Sequence, residues 1–238
     1  MKTLSYLTVI LTVVMLSSVS CGEKWNSKAM DDGSWLKEFN LADRTLVPTG
    51  RNEYFILEPG FQVVLEGKNV KLIIIALDET KEVAGVTTRV VEEREWISGQ
   101  LYEVARNFFA IDEKTKDVFY FGEEVDFYKN GKVVGHRGSW LAGVDGATPG
   151  LQMPGKVELG MKYYQEVAPE KAMDRAEIID IDHELKTPAG TFTKCVKMKE
   201  GSALKLWEKE FKSYAAGIGL IQDQNLLLTN YGFVNQNK

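Results

Sequence analysis

"DVFYFGEEVDFYKNGKVVGHRGSW", Asp117 to Trp140, alternates apolar and polar residues with the two-residue period of a β-strand. Asn130-Gly131 in its middle is a strong hairpin signal, because both residues tolerate positive φ. The stretch reads as two antiparallel strands, and its details set the terms for the whole chain. Straight alternation puts Phe119, Phe121, Glu123, Val125 and Phe127 on one face, which leaves Glu123 inside an apolar stripe. A buried carboxylate needs a partner, a proton or a cation. Gly122 beside it allows another outcome: a β-bulge, whose extra residue would turn Glu123 out to solvent.

The same period continues on both sides. "EYFILEPGFQVVLEG" (53–67) reads as a strand, a Pro-Gly turn and a second strand, and "VKLIIIALDE" (70–79) as an apolar strand. "EVAGVTTRVVEEREWISGQLYEVARNFFAID" (82–112) reads as two long strands joined near Ser98-Gly99. "RAEIIDIDHELKTPAGTFTKCVKMKE" (175–200) reads as two more, joined by a Pro-Ala-Gly turn, and the segment from Leu204 to Phe233 as another two around "YAAGIG". The stretch from Leu141 to Asp174, rich in glycine and proline, is expected as a long packed loop with one strand around Met161–Glu166. Clean helical periodicity and fixed-period repeats are missing. The expected fold is all-β: a curved antiparallel sheet of about ten strands forming an open barrel or a sandwich.

The chain has 238 residues, 44% hydrophobic and 26% charged, with a net charge of −5. That composition is globular, and no Lys/Arg block of the kind nucleic-acid binders use is present. At the N-terminus, Lys2, an apolar run to Leu16 and small residues before Cys21 form the three-part pattern of a secretory signal peptide, assigned here to residues 1–20. "LSSVSC" (16–21) resembles a bacterial lipobox with Cys21 as the lipidated residue, although Ser18 stands where leucine is usual. Ordinary cleavage after Ser18-Val19-Ser20 also fits the small-x-small rule. Residues 21–45 are expected as a polar tether and residues 46–234 as a single β domain. These features predict an exported protein of a bacterial envelope, attached to a membrane by lipid at Cys21. Cys195, in an alternating segment, is expected as a buried small hydrophobe if Cys21 is lipidated, and as a possible disulfide partner if it is not.

"TPAGTFTKCVKMKE" (187–200) and "KSYAAGIGLIQ" (212–222), with "FFAIDEKTKDVFYFGEEVDFYKNGKVVGHRGSWLAGVDGATPG" (108–150), resemble a group of exported bacterial proteins similar to the domains of unknown function of the DUF3108 type. The resemblance runs from about Glu53 to Gln222. It implies a curved sheet or open β-barrel similar to the periplasmic lipoprotein carriers and their outer-membrane acceptors. Its motifs are turn and packing signatures, so it carries over no catalytic residue.

Catalytic constellations are sparse. His136 and His183 lack zinc-type spacing, and neither a G-x-S-x-G elbow nor a P-loop occurs. "DEKTKD" (112–117) is acidic enough for calcium but lacks the EF-hand pattern, so a solvated turn is expected. In "RVVEEREW" (89–96) the apolar face ends at Val91. The strand then either runs into solvent, or places Arg89, Glu93 and Glu95 along a polar lumen. The leading expectation is a noncatalytic envelope protein that binds a small apolar or amphipathic ligand within its curved sheet, without cofactor or metal. Candidate lining residues are Phe109, Phe119, Phe121, Glu123, Phe127, Trp140 and Tyr164, with the Gly143–Gly155 loop as rim or lid. Two alternatives stand beside it: an interaction lipoprotein docking on another envelope protein, and a hydrolase using Glu93, Glu95, Glu123 or Asp126.

Overall fold

A computed structural model describes residues 34–234. The expected signal peptide, Cys21 and the first part of the tether lie outside the described residues, as does the tail 235–238. The described chain is all-β, without an α-helix. In order, the strands are β1 (Leu46–Val47), β2 (Gly50–Asn52), β3 (Phe55–Leu57), β4 (Phe61–Glu66), β5 (Val70–Val83), β6 (Val86–Ile97), β7 (Gln100–Asp112), β8 (Val118–Lys129) and β9 (Lys132–Gly135). Then come β10 (Trp140–Leu141), β11 (Thr148–Met153), β12 (Lys162–Tyr164), β13 (Glu166–Val167), β14 (Asp174–Thr187), β15 (Gly190–Ser202), β16 (Lys205–Ala215), β17 (Gly219–Asp223) and β18 (Leu226–Phe233).

One antiparallel sheet runs β12-β14-β15-β16-β17-β18-β4-β5-β6-β7-β8-β11-β13. Its two ends are nearly brought together by a single chain segment. Lys162–Tyr164 pairs with β14, Glu166–Val167 pairs with β11, and Gln165 between them donates its backbone N–H to Asp174 O at 2.8 Å. Closure satisfies the edge groups that an open sheet leaves bare. Tight two-residue turns hold the long hairpins in register. Ala84-Gly85, Ser98-Gly99 and Asn130-Gly131 all have positive φ at both positions, the twist a two-residue hairpin needs.

The strand count exceeds the expected ten because three regions hold more strands than expected. Residues 46–52 add β1 and β2, the supposed loop from Leu141 to Asp174 holds half of β10 and all of β11 to β13, and Lys205–Phe233 forms three strands in place of two. Thus the Gly143–Gly155 stretch is in large part sheet wall, since β11 pairs with β8, and it is not a lid. Its glycines serve close packing: a Cβ on Gly150 would stand 2.1 Å from Gln165 O in the closing segment. Residues 34–45, expected to be tether, are packed on the domain. Leu36 bridges to Tyr163, and Phe39 is buried with its ring 5.8 Å from that of Phe119.

The β2–β3 hairpin lies across one end of the barrel. The Asn52 side-chain amide donates to Lys116 O and Pro154 O, both at 2.9 Å, and Gly217 N–H donates to Glu53 O at 2.7 Å. Three separate loops are thereby tied to one plug. Nearby, Arg44 Nη1 occupies the acidic turn that suggested a cation, 3.0 Å from Asp112 and 2.7 Å from Asp117. Cys195 is a fully buried free thiol.

Candidate functional site

The bulge expected at Gly122 is present. Asn107 pairs with Glu123 and Phe109 with Tyr120, so Phe121 and Gly122 together oppose Phe108. Gly122 has φ 135°, and a Cβ there would lie 2.4 Å from Trp140 O. The extra residue does separate Glu123 from Phe119 and Phe121. The expectation fails at the next step: the face that Glu123 joins is the interior of the barrel, not solvent. Phe119 and Phe121 take the opposite face, which residues 34–45 cover at Phe39. Two-sided burial explains this, since both faces of β8 are covered and neither is reserved for water.

Inside the barrel is a cavity of about 250 Å³. Its two ends differ. Phe55 and Ile56 of the plug, with Phe61, Val63, Ala76, Val91 and Phe109, make an apolar floor. Phe109 stacks on Tyr120 with ring centroids 4.6 Å apart, and Phe55 meets Phe109 edge-on at 5.0 Å. Away from the plug the walls become acidic. Glu93, Glu103, Glu123, Glu166, Asp174, Glu200 and Asp223 all line the cavity, against a single lysine, Lys212.

The strand pairing places these groups. Glu93 and Ala105 are directly paired across β6 and β7, and Glu95 and Glu103 are paired one step further from the plug. On the opposite wall Lys212 pairs with both Met198 and Asp223, and Glu200 pairs with Glu210. Lys212 Nζ reaches Glu200 Oε2 at 2.9 Å, while Gln165 Nε2 donates to Glu200 Oε1 at 3.1 Å. Burial opposes the charge on Lys212, but Glu200 and Asp223 outweigh it and hold the ammonium well above its ordinary pKa. The single cation is thus engaged within its own wall.

The facing acids are poorly compensated. Burial pushes Glu93 up to about 8, and Asp223, Glu103 and Glu95 add to the rise against the pull of Lys212. Glu103 goes to about 7 and Glu123 to about 8, also chiefly through burial. Glu166 is raised well above the carboxylate range by burial, with Asp174 and Glu123 adding to it. Among the described residues the Glu93 carboxyl makes no hydrogen bond or ion pair, and Glu103 Oε2 has no hydrogen-bond partner. Tyr120, against Glu123, gives its hydroxyl proton to Asn107 Oδ1 at 2.5 Å. The hydrogen bond between Tyr120 and Glu123 favours the carboxylate and offsets part of the rise that burial causes.

Of the seven residues singled out from the sequence, Phe109 and Glu123 line the cavity. Phe119 and Phe121 are core on the far side of β8. Trp140 is buried behind Tyr120, with ring centroids 5.4 Å apart, and Tyr164 is buried against Trp35 at 6.3 Å. Phe127 packs on Tyr102 at 5.9 Å, beyond the cavity walls. The polar-lumen reading of β6 holds for Glu93, so the strand does not simply run into solvent there. Arg89 lies at the plugged end, where it donates to Pro48 O at 3.1 Å and Thr49 Oγ1 at 2.6 Å. Asp126 is outside the cavity, paired with His136 at 2.8 Å. Sequence reasoning missed Glu103, Glu166, Asp174, Glu200, Lys212 and Asp223. The available signal was a charge that continues an apolar stripe at period two, as in Met198–Glu200 and Tyr214–Lys212.

Compared with known proteins, the chain matches no family model, no curated protein and no solved structure.

Proposed function

We propose that this chain is a noncatalytic binding protein of the bacterial envelope that holds a small amphipathic molecule inside its barrel. The observation that carries the reading is the 250 Å³ cavity with an apolar floor and a polar far end. Barrels of moderate size either fill with side chains or hold one ligand, and small-ligand sites pair apolar walls with a few polar groups. An engineered cavity of roughly 150 Å³ takes benzene, so this one suits about ten non-hydrogen atoms. Native mass spectrometry of protein purified from its own envelope, followed by organic extraction, tests the idea. The expected result is a bound small molecule at one per chain. Ligand-free protein that also takes up no added amphiphile would sink it.

The envelope assignment rests on Lys2, the apolar run to Leu16 and Cys21. Cys21→Ser is expected to move the protein from the membrane to the soluble fraction, with loss of the lipid mass from the mature N-terminus.

Two observations favour other readings. Trp207 is 78% exposed on β16 beside exposed Leu206 and Phe211, which suits docking on another envelope protein. Cavity carboxyls with raised pKa values, Glu93 and Glu123 foremost, suit a hydrolase in which one acts as general acid. Trp207→Ser would abolish co-purification of a partner in the first case. Glu123→Gln would abolish turnover in the second.

A further inference from the structure

The cavity's charge inventory says which kind of amphiphile it takes. We infer that the ligand is an organic cation: an amine whose ammonium sits among Glu93, Glu103 and Glu123 and whose apolar body rests on Phe55 and Phe109. The inference rests on the binding reading above and deepens it.

Three observations carry it. The first is the imbalance of seven carboxyl side chains against one lysine, and that lysine is held by Glu200 at 2.9 Å. The second is the state of the acids opposite. Glu93 lies deep in the barrel with no hydrogen bond or ion pair among the described residues, and Glu103 Oε2 is likewise unpartnered. Buried polar groups in folded proteins find partners, so an orphaned carboxyl that faces open space marks where a donor belongs. The third is polarity. The apolar floor lies at the plugged end, so the cationic group is oriented away from the plug and toward the acids.

An anionic amphiphile, such as a fatty acid, would need Glu93 and Glu123 protonated and would lose affinity as pH rises through about 8, the opposite of the trend for an amine. An uncharged one, such as an alcohol, offers a single donor where an ammonium offers three, and it brings no charge to pair with a carboxylate.

Uptake of the ammonium is coupled to proton release. Glu93 faces Lys212, Asp223, Glu103 and Glu95, and on balance it holds its proton at neutral pH. An ammonium that binds beside it displaces that proton to solvent and leaves an ammonium–carboxylate pair. Affinity therefore rises with pH, up to about tenfold per unit for one proton, and levels off once the carboxyl ionises unaided.

The experiment is isothermal titration of the full mature chain with phenethylamine and with phenethyl alcohol, which match in size and differ in charge. Titrations at two pH values and in buffers of different ionisation enthalpy count the protons. The expected result is amine binding at least tenfold tighter than alcohol, with close to one proton released. Glu93→Gln or Glu103→Gln is expected to remove most of that preference by weakening amine binding, with cooperative unfolding as the check that each variant folds. Equal binding of amine and alcohol would overturn the charge inference and leave the cavity reading standing. Binding of neither would overturn both. A preference that survives in both variants would overturn the assignment to these carboxyls.

Discussion

Glu93 carries a carboxyl into a place where ionisation is expensive. Its pKa, raised by burial from 4.5 to about 8, has a direct consequence for stability. Below about 4.5 the group is protonated in folded and unfolded chain alike, and it costs nothing. As pH rises toward 8 the unfolded chain gives up the proton while the folded chain keeps it. Stability therefore falls across that window, by up to about 1.4 kcal/mol per pH unit for each such group, and levels off above it. Glu103 and Glu123 act in the same direction. Urea titrations at pH 5 and pH 8 are expected to show the higher midpoint at pH 5. Glu93→Gln should reduce the difference, because glutamine removes one of the three titrations. A larger difference in the variant would contradict the assignment.

At the scale of the element, β8 shows how one glycine decides what a strand presents. The alternation of "VFYFGEEVDF" was legible, and so was the bulge, because Gly122 breaks an otherwise β-branched and aromatic run. The face that Glu123 joins was not legible, because a two-residue period names two faces without saying what covers each. Only the covering by residues 34–45 on one side, and the enclosure on the other, assigns them. The β16–β17 pair repeats the device: a register shift between Ser213 and Tyr214 brings Leu220 opposite Tyr214 and Asp223 opposite Lys212. Gly122→Ala would set a Cβ 2.4 Å from Trp140 O on a backbone with φ 135°. It is expected to destabilise the fold by about 3 kcal/mol, through clash and strain together. Denaturant unfolding measures this. A loss below about 1 kcal/mol would mean the bulge is dispensable.

For the whole molecule, the sheet depends on pairings between residues far apart in the chain. β18 joins β4 through Leu228 and Leu65, and the segment Lys162–Val167 spans the two sheet ends. A chain truncated before Leu226 loses β18 and bares the edges of β4 and β17 together. Such a variant is expected to lose cooperative unfolding and to aggregate, since exposed apolar edges template intermolecular pairing. Size-exclusion chromatography and near-ultraviolet circular dichroism would show it. A soluble monomer with native aromatic signal would contradict the role given to this seam.

The amino-acid sequence alone determined the class: period-two alternation, positive-φ turn pairs and the absence of helical periodicity specify antiparallel β, because these are local properties of neighbouring residues. It also carried Glu123 and Phe109 as candidates, through one charge out of place and one aromatic in a strand. The tertiary structure alone decided the extra strands in the glycine- and proline-rich region, which are too short to show a period. It alone decided the acidic wall too. Glu103, Glu200, Lys212 and Asp223 come from four strands, and a polar residue where an apolar stretch gives out reads by itself as a strand leaving the core. Barrel curvature brings those ends to one cavity, and curvature is set by the sum of twists, bulges and closures rather than by any window of sequence.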